Sequence, residues 1–126
     1  YAAHVAEVEA DGKNIKARKV WSAVDVGPIL NLSGAKSQVE SCVIDALSST
    51  QQEMTFADGA AQHSNFNTYP LLRFEQAPEV ECHFIQNDIP PTGLGEPPFN
   101  PAVPAYANAI FAASGKRHRP LPINPA

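Results

Sequence analysis

One glutamate closes the most conformationally constrained stretch of this sequence, Pro90-Pro91-Thr92-Gly93-Leu94-Gly95-Glu96-Pro97-Pro98. Glycine lets backbone come close to a bulky ligand, and proline on either side holds a loop in one shape. A carboxylate at the end of such a segment suits a fixed general base, because geometry matters before pKa does. The same composition also suits a Pro/Gly-rich loop with a solvated glutamate, and the two readings stand level. Gly93-Leu94-Gly95 is not a dinucleotide-binding fingerprint: the third glycine is missing, and prolines block the helix that should follow.

Two further segments carry polar chemistry. Gln38, in Gln38-Val39-Glu40, offers a side-chain amide that both donates and accepts, as a polar cofactor requires; the alternative is a solvent-facing polar residue on a helix. Asn65-Phe66-Asn67-Thr68-Tyr69 mixes amides with aromatics and reads as a loop anchored in the core by Phe66 and Tyr69. The histidines (His4, His63, His83, His118) form no pair at helical spacing, and Cys42 and Cys82 fit no zinc pattern, so no metal held by protein ligands is expected. The two cysteines read as buried free thiols, with a disulfide as the alternative.

These residues need elements to place them. Extended runs Ala3–Ala10 and Ile15–Val26 flank Asp11-Gly12-Lys13-Asn14, a hairpin signal, and the second run stops at Gly27-Pro28. Ala35, Val39, Cys42, Val43, Ala46, Leu47 and Met54 recur at helical spacing, so a helix is expected over Ser33–Met54, capped by Asn31 or Ser33. Lys36, Glu40 and Ser41 occupy its polar face. Asp58-Gly59 marks a turn, Ala60–Leu72 is irregular, and Glu79–Gln86 alternates as a strand. After the loop Asn87–Asn100, Asn100-Pro101 opens a helix that runs to Ser114 and stops at Gly115. Lys116-Arg117-His118-Arg119 complements the dipole at that helix end. The tail Pro120–Ala126 should lie extended across a neighbouring surface.

Length and composition bound the rest. The 126 residues make one domain's worth of chain, with 44% hydrophobic and 17% charged residues, as in globular proteins. A net charge of −4 is no footprint for nucleic acid, and no apolar run is long enough to span a membrane. The expected class is α+β: a hairpin and further strands in a mixed sheet, packed against two helices. The two long irregular segments, the few strands, and an opening at Tyr1 without Met point to an incomplete domain. Part of its apolar or loop surface should then be covered by chain that lies elsewhere, with any targeting signal upstream.

In order and spacing, the sequence resembles the molybdopterin-binding large subunit of the xanthine dehydrogenase and aldehyde oxidase family, in its isoquinoline 1-oxidoreductase beta type. The stretches that carry the resemblance are His4–Asp11, Val20–Pro28, Gln38-Val39-Glu40, Asn65–Arg73, Gln76–Val80, Pro91–Pro97 and Ala107–Ala113. Together they cover nearly the whole chain, as the C-terminal segment of such a subunit. The resemblance implies a molybdenum pyranopterin, in its cytosine dinucleotide form, contacted by Gln38 and by the Gly93-Leu94-Gly95 loop. It implies Glu96 as the base that takes a proton from a metal-bound hydroxyl during hydroxylation of an N-heteroaromatic or aldehyde substrate with water-derived oxygen. It also implies partners: the remainder of the large subunit and an iron–sulfur subunit that removes electrons. Bacterial periplasm and cytoplasm are both compatible locations.

The chain departs from that family where Ser41 and Ala46 replace usual glycines, and where Pro98, Phe99 and Asn100 follow Glu96-Pro97. A non-catalytic interaction module that retains the fold is the alternative reading. A Ser or Cys hydrolase is disfavoured, since no nucleophile–base motif is present.

Overall fold

The computed structural model describes residues 1–11 and 14–123. Strand β1 (Ala2–Asp11) and strand β2 (Asn14–Val24) form the expected antiparallel hairpin, whose turn residues Gly12 and Lys13 lie outside the described residues. The register slips by one residue at Glu7/Val8, which leaves Arg18 out of the residue-to-residue pairing, though its side chain reaches Glu9, and keeps Ala17 and Val20 both on the buried side. Helix α1 (Leu32–Ser49) crosses over, and after a two-residue hairpin of β3 (Phe56–Ala57) and β4 (Ala60–Ala61), strand β5 (Glu79–Phe84) pairs in parallel with β2. The main sheet thus has the order β1-β2-β5, and helix α2 (Phe99–Ser114) returns across β1 and α1.

Alternation decides which face of the sheet is covered. Val20, Ala17 and the half-buried Val8 and Val80 meet Val43, Ala46 and Leu47 of α1 and Ala102, Tyr106 and Ile110 of α2. Both helices lie on this face. On the other face Lys19 joins Glu79 and Glu81 in ion pairs and lies over the ring of Trp21, while Val5 stays exposed. The α+β reading with a mixed sheet and two helices is borne out.

Several boundaries move. Helix α1 stops at Ser49 rather than Met54, because Ser49 and Thr50 turn their hydroxyls back onto the carbonyls of Ala46 and Leu47, both at 2.7 Å. Met54 therefore leaves the apolar face and is exposed. Asn31 is the N-cap, accepting from the Gly34 N–H at 2.9 Å. Helix α2 begins at Phe99 with Pro98 as its cap, ahead of the expected Asn100. Pro98 already has φ −72° and ψ −15°, so the turn closed by Phe99 N–H on the Glu96 carbonyl runs straight into the helix. Gly115 ends it at φ 72°, as expected. Strand β5 stops at Phe84, two residues short of the expectation, where its partner β2 has also ended.

The tail does cross a neighbouring surface: Ile123 is buried, and its N–H donates to the Thr50 carbonyl. Its last three residues fall outside the described range. Tyr1, Leu30, Phe56, Phe66 and Phe74 are exposed large hydrophobics. No helix among the described residues is long and apolar enough to cross a membrane.

Candidate active site

The loop that carries Glu96 is pinned along its length by the end of β2. The Asn87 amide donates to the Asp25 carboxylate at 2.6 Å, and Thr92 N–H donates to the Val26 carbonyl at 3.0 Å. Gly27 sits at φ +82°, where a Cβ would stand 2.7 Å from the Ile89 carbonyl oxygen, so the loop backbone lies directly on it. Only glycine fits. Leu94 turns its side chain inward against the cluster of Val24, Val26 and Val39. Half-buried there, it anchors the loop.

Helix α1 supplies the opposite wall. Gln38 and Cys42, one turn apart, both reach the loop at Gly95. A Cβ on Gly95 would be 3.4 Å from Gln38 Oε1, and the Cys42 thiol donates to the Gly95 carbonyl at 2.6 Å. Burial, reinforced by the carboxylates of Asp45 and Glu96, pushes the Cys42 thiol above its ordinary value, so it stays protonated and able to donate. Both cysteines are free thiols.

Glu96 itself is exposed and stands between two clefts. One, of about 380 Å³, is bounded by Ser41, Cys42 and Asp45 of α1 and by Phe99 and Asn100 of α2. The other, of about 520 Å³, is bounded by Gly93, Gly95, Pro97 and Asn100. A Cβ on Gly93 would meet nothing within 4 Å, so this backbone is open to approach. The structure thus brings together Gln38, Gly93, Gly95 and Glu96. Residues 65–69 stay apart, at a separate hollow with Met54 and His63. Tyr69 is half-buried there, but Phe66 is exposed instead of anchored, because Asn65 and Thr68 close a turn on themselves and turn Phe66 outward.

His4 and Cys42 join the site without having stood out in the sequence as site residues. His4 Nε2 meets the Pro98 carbonyl at 2.7 Å. A carbonyl only accepts, so Nε2 carries the proton and the neutral ring leaves Nδ1 as an acceptor. Nδ1 is buried without a partner, as is the hydroxyl of Ser22, its cross-strand neighbour. Burial lowers the His4 pKa below its ordinary value, against the raising effect of the Pro98 carbonyl and, more weakly, the nearby Trp21 backbone. The 94-residue separation from Pro98 leaves no local signal for His4, whereas Cys42 could have been found four residues after Gln38. Beyond the site, Arg117 folds back on α2, bonding Asn108 and lying 3.8 Å over the Phe111 ring.

The donor set is one amide, open glycine backbone and a carboxylate. Among the described residues no group of three or more His, Cys, Asp or Glu could hold a metal ion. Such a set fits an organic cofactor bound through hydrogen bonds.

Comparison with known proteins places this architecture. The profile of the molybdopterin cofactor-binding domain matches residues 1–78, and the chain belongs to that family. The chain is 37% identical over 125 residues to a membrane-bound aldehyde dehydrogenase [pyrroloquinoline-quinone] of Gluconacetobacter polyoxogenes, covering 97% of this chain and 16% of that protein. It is 36% identical over 109 residues to the isoquinoline 1-oxidoreductase subunit beta of Brevundimonas diminuta, covering 86% of this chain and 14% of the relative. Quinoline 2-oxidoreductase from Pseudomonas putida 86 shares the fold, with a TM-score of 0.84 at 19% identity over 97% of this chain and 17% of that one. The resemblance to molybdenum hydroxylase large subunits is therefore borne out, and the chain spans about one-sixth of the length of these relatives.

Proposed function

We propose that this chain is the C-terminal segment of the large subunit of a molybdenum hydroxylase, and that Glu96 is the base of its reaction. The observation that carries the reading is the exposed Glu96 carboxylate, held at the end of a pinned loop and flanked by two clefts. Family membership supports a molybdenum pyranopterin, for which we take the cytosine dinucleotide form. Gln38 and the backbone at Gly93, Leu94 and Gly95 would hold it, since the Gln38 amide lies at Gly95 and the backbone at Gly93 is open to approach. When bound, that group supplies a Lewis acid and a two-electron acceptor.

The remaining steps belong to the chain itself. Glu96 accepts, at a carboxylate oxygen, the proton of the attacking water-derived oxygen. The pinned loop keeps that carboxylate oriented, so little reorganisation accompanies the transfer. Phe99 and Asn100 give the larger wall of the neighbouring cleft an aromatic edge and an amide, suited to a flat N-heteroaromatic or an aldehyde. Partners are the remainder of the large subunit and an iron–sulfur subunit that takes the electrons, a reading supported by the subunit name of the Brevundimonas relative.

The test is Glu96→Gln in the full-length holoprotein, assayed with isoquinoline and with aliphatic and aromatic aldehydes. Size and hydrogen-bonding reach are kept while the base is removed, so turnover should fall by about 10²–10⁴-fold with molybdenum content and melting temperature unchanged. Near-normal turnover in the fully loaded variant would refute the base. Absence of molybdenum from the purified wild-type assembly would instead favour a non-catalytic module.

A further inference from the structure

We propose that Cys42 and His4 are positioning residues for Glu96, each donating from its own element to a carbonyl on one side of the glutamate. The inference rests on the base assigned above, and it concerns what holds that base in place. The Cys42 thiol binds the Gly95 carbonyl at 2.6 Å, which belongs to the peptide unit directly preceding the Glu96 Cα. His4 Nε2–H binds the Pro98 carbonyl at 2.7 Å, two residues beyond. Between these points the Phe99 N–H closes a turn on the Glu96 carbonyl at 2.9 Å.

Ring closure fixes φ at Pro97 and Pro98. With both flanking carbonyls held and the turn closed, backbone rotation around Glu96 is nearly used up, and the carboxylate moves chiefly by its own χ angles.

The two donors come from different layers. Cys42 is on α1 and His4 on β1, and both elements are packed into the shared core formed by Val43, Leu47, Ala6 and Val8. The loop is therefore referenced to the whole fold instead of to one helix. Each donor is also in the protonation state the role requires. Burial and the neighbouring carboxylates keep the thiol protonated, and the acceptor character of Pro98 sets the histidine tautomer. Ser22, opposite His4 on β2, has a buried hydroxyl that is without a partner, as is His4 Nδ1. Both side chains bind carbonyls of the loop and not the Glu96 carboxylate, so their role is positioning.

The experiment compares, in the full-length holoprotein, Cys42→Ala with Cys42→Ser and His4→Leu with His4→Gln. Serine and glutamine keep a donor, whereas alanine and leucine do not. Three readouts are taken: kcat and KM separately, molybdenum content, and hydrogen–deuterium exchange of peptides covering residues 93–99. In Cys42→Ala, kcat should fall about tenfold or more with KM within about twofold, since misplacing a reacting group costs rate rather than binding. Cys42→Ser should recover most of that loss, and the histidine pair should behave in the same way. Amide exchange at Phe99, whose N–H closes the turn on Glu96, should quicken in the alanine and leucine variants and return towards wild type in the donor-retaining ones.

Equal impairment of the serine and alanine variants, or unchanged exchange across 93–99 in all four, would overturn the proposal. If His4→Leu does not accumulate, the cysteine pair decides alone. Glu96→Gln is assayed alongside. Full turnover there removes the base, yet leaves the exchange data to report on the clamp. A dead Glu96→Gln with wild-type-like Cys42→Ala removes only the clamp.

Discussion

Two long irregular segments, residues 62–73 and 85–98, are built on opposite plans. The second is tied to the fold at every few residues: by Asp25, the Val26 carbonyl, Gly27, the Leu94 anchor, and the donors of Cys42 and His4. The first is tied mainly to itself, through Asn65, Thr68 and His63, and touches the rest through Gln52, Ser48 and the Tyr69 hydroxyl. One plan delivers a single carboxylate to a fixed point. The other leaves Phe66 70% exposed. Irregular backbone is thus no measure of looseness; what matters is how many of its polar groups are satisfied by rigid elements.

The contrast can be broken most forcefully at two glycines, both at positive φ. Gly27→Ala meets the Ile89 carbonyl and Pro91 backbone as well as an unfavourable φ, and should cost roughly 2–4 kcal/mol in urea unfolding of the full-length protein. Gly59→Ala, in the β3–β4 turn with open space around it, should cost only about 1 kcal/mol, from its φ alone. Equal losses would mean that the loop does not press on Gly27.

A smaller effect separates the two apolar residues of these segments. Leu94→Ala should lose about 1–2 kcal/mol, because a half-buried anchor is removed from the Val24, Val26 and Val39 cluster. Phe66→Ser on the described surface should stay within about 0.5 kcal/mol. If Phe66→Ser proves the costlier in the complete assembly, the exposed ring is covered there, which locates an internal interface.

The smallest effect concerns acid. The folded His4 pKa is lowered, chiefly by burial, from its ordinary 6.5, so the unfolded chain binds the proton first as pH falls. Its contribution to stability is present above pH 6.5 and is lost as pH drops through the folded value. Melting temperature between pH 7 and pH 5 should therefore fall more steeply in the wild type than in His4→Gln. Parallel slopes would show that His4 is already solvated in the folded state.

Much of this was legible in the chain. Alternation in β1, β2 and β5, the apolar stripe of α1, and Gly115 as a stop are local signals, set by side-chain period and by backbone preference within a few residues. So was the rigidity of the Glu96 loop, since proline and glycine act on their own dihedrals. Other features rest on distant contacts. Helix α1 ends early because hydroxyls at Ser49 and Thr50 compete for its last carbonyls, a choice made easier where Leu72 N–H claims Ser48. The parallel pairing of β2 with β5, the inward turn of Leu94 and the union of His4 with Pro98 join residues tens of positions apart. No periodicity encodes such meetings, because they are selected by the packing of whole layers. The sequence by itself determined which residue could serve as a base and that its loop is stiff. Only the tertiary structure decided where that loop lies, since its carbonyls find their donors on a helix and a strand that sequence distance keeps apart.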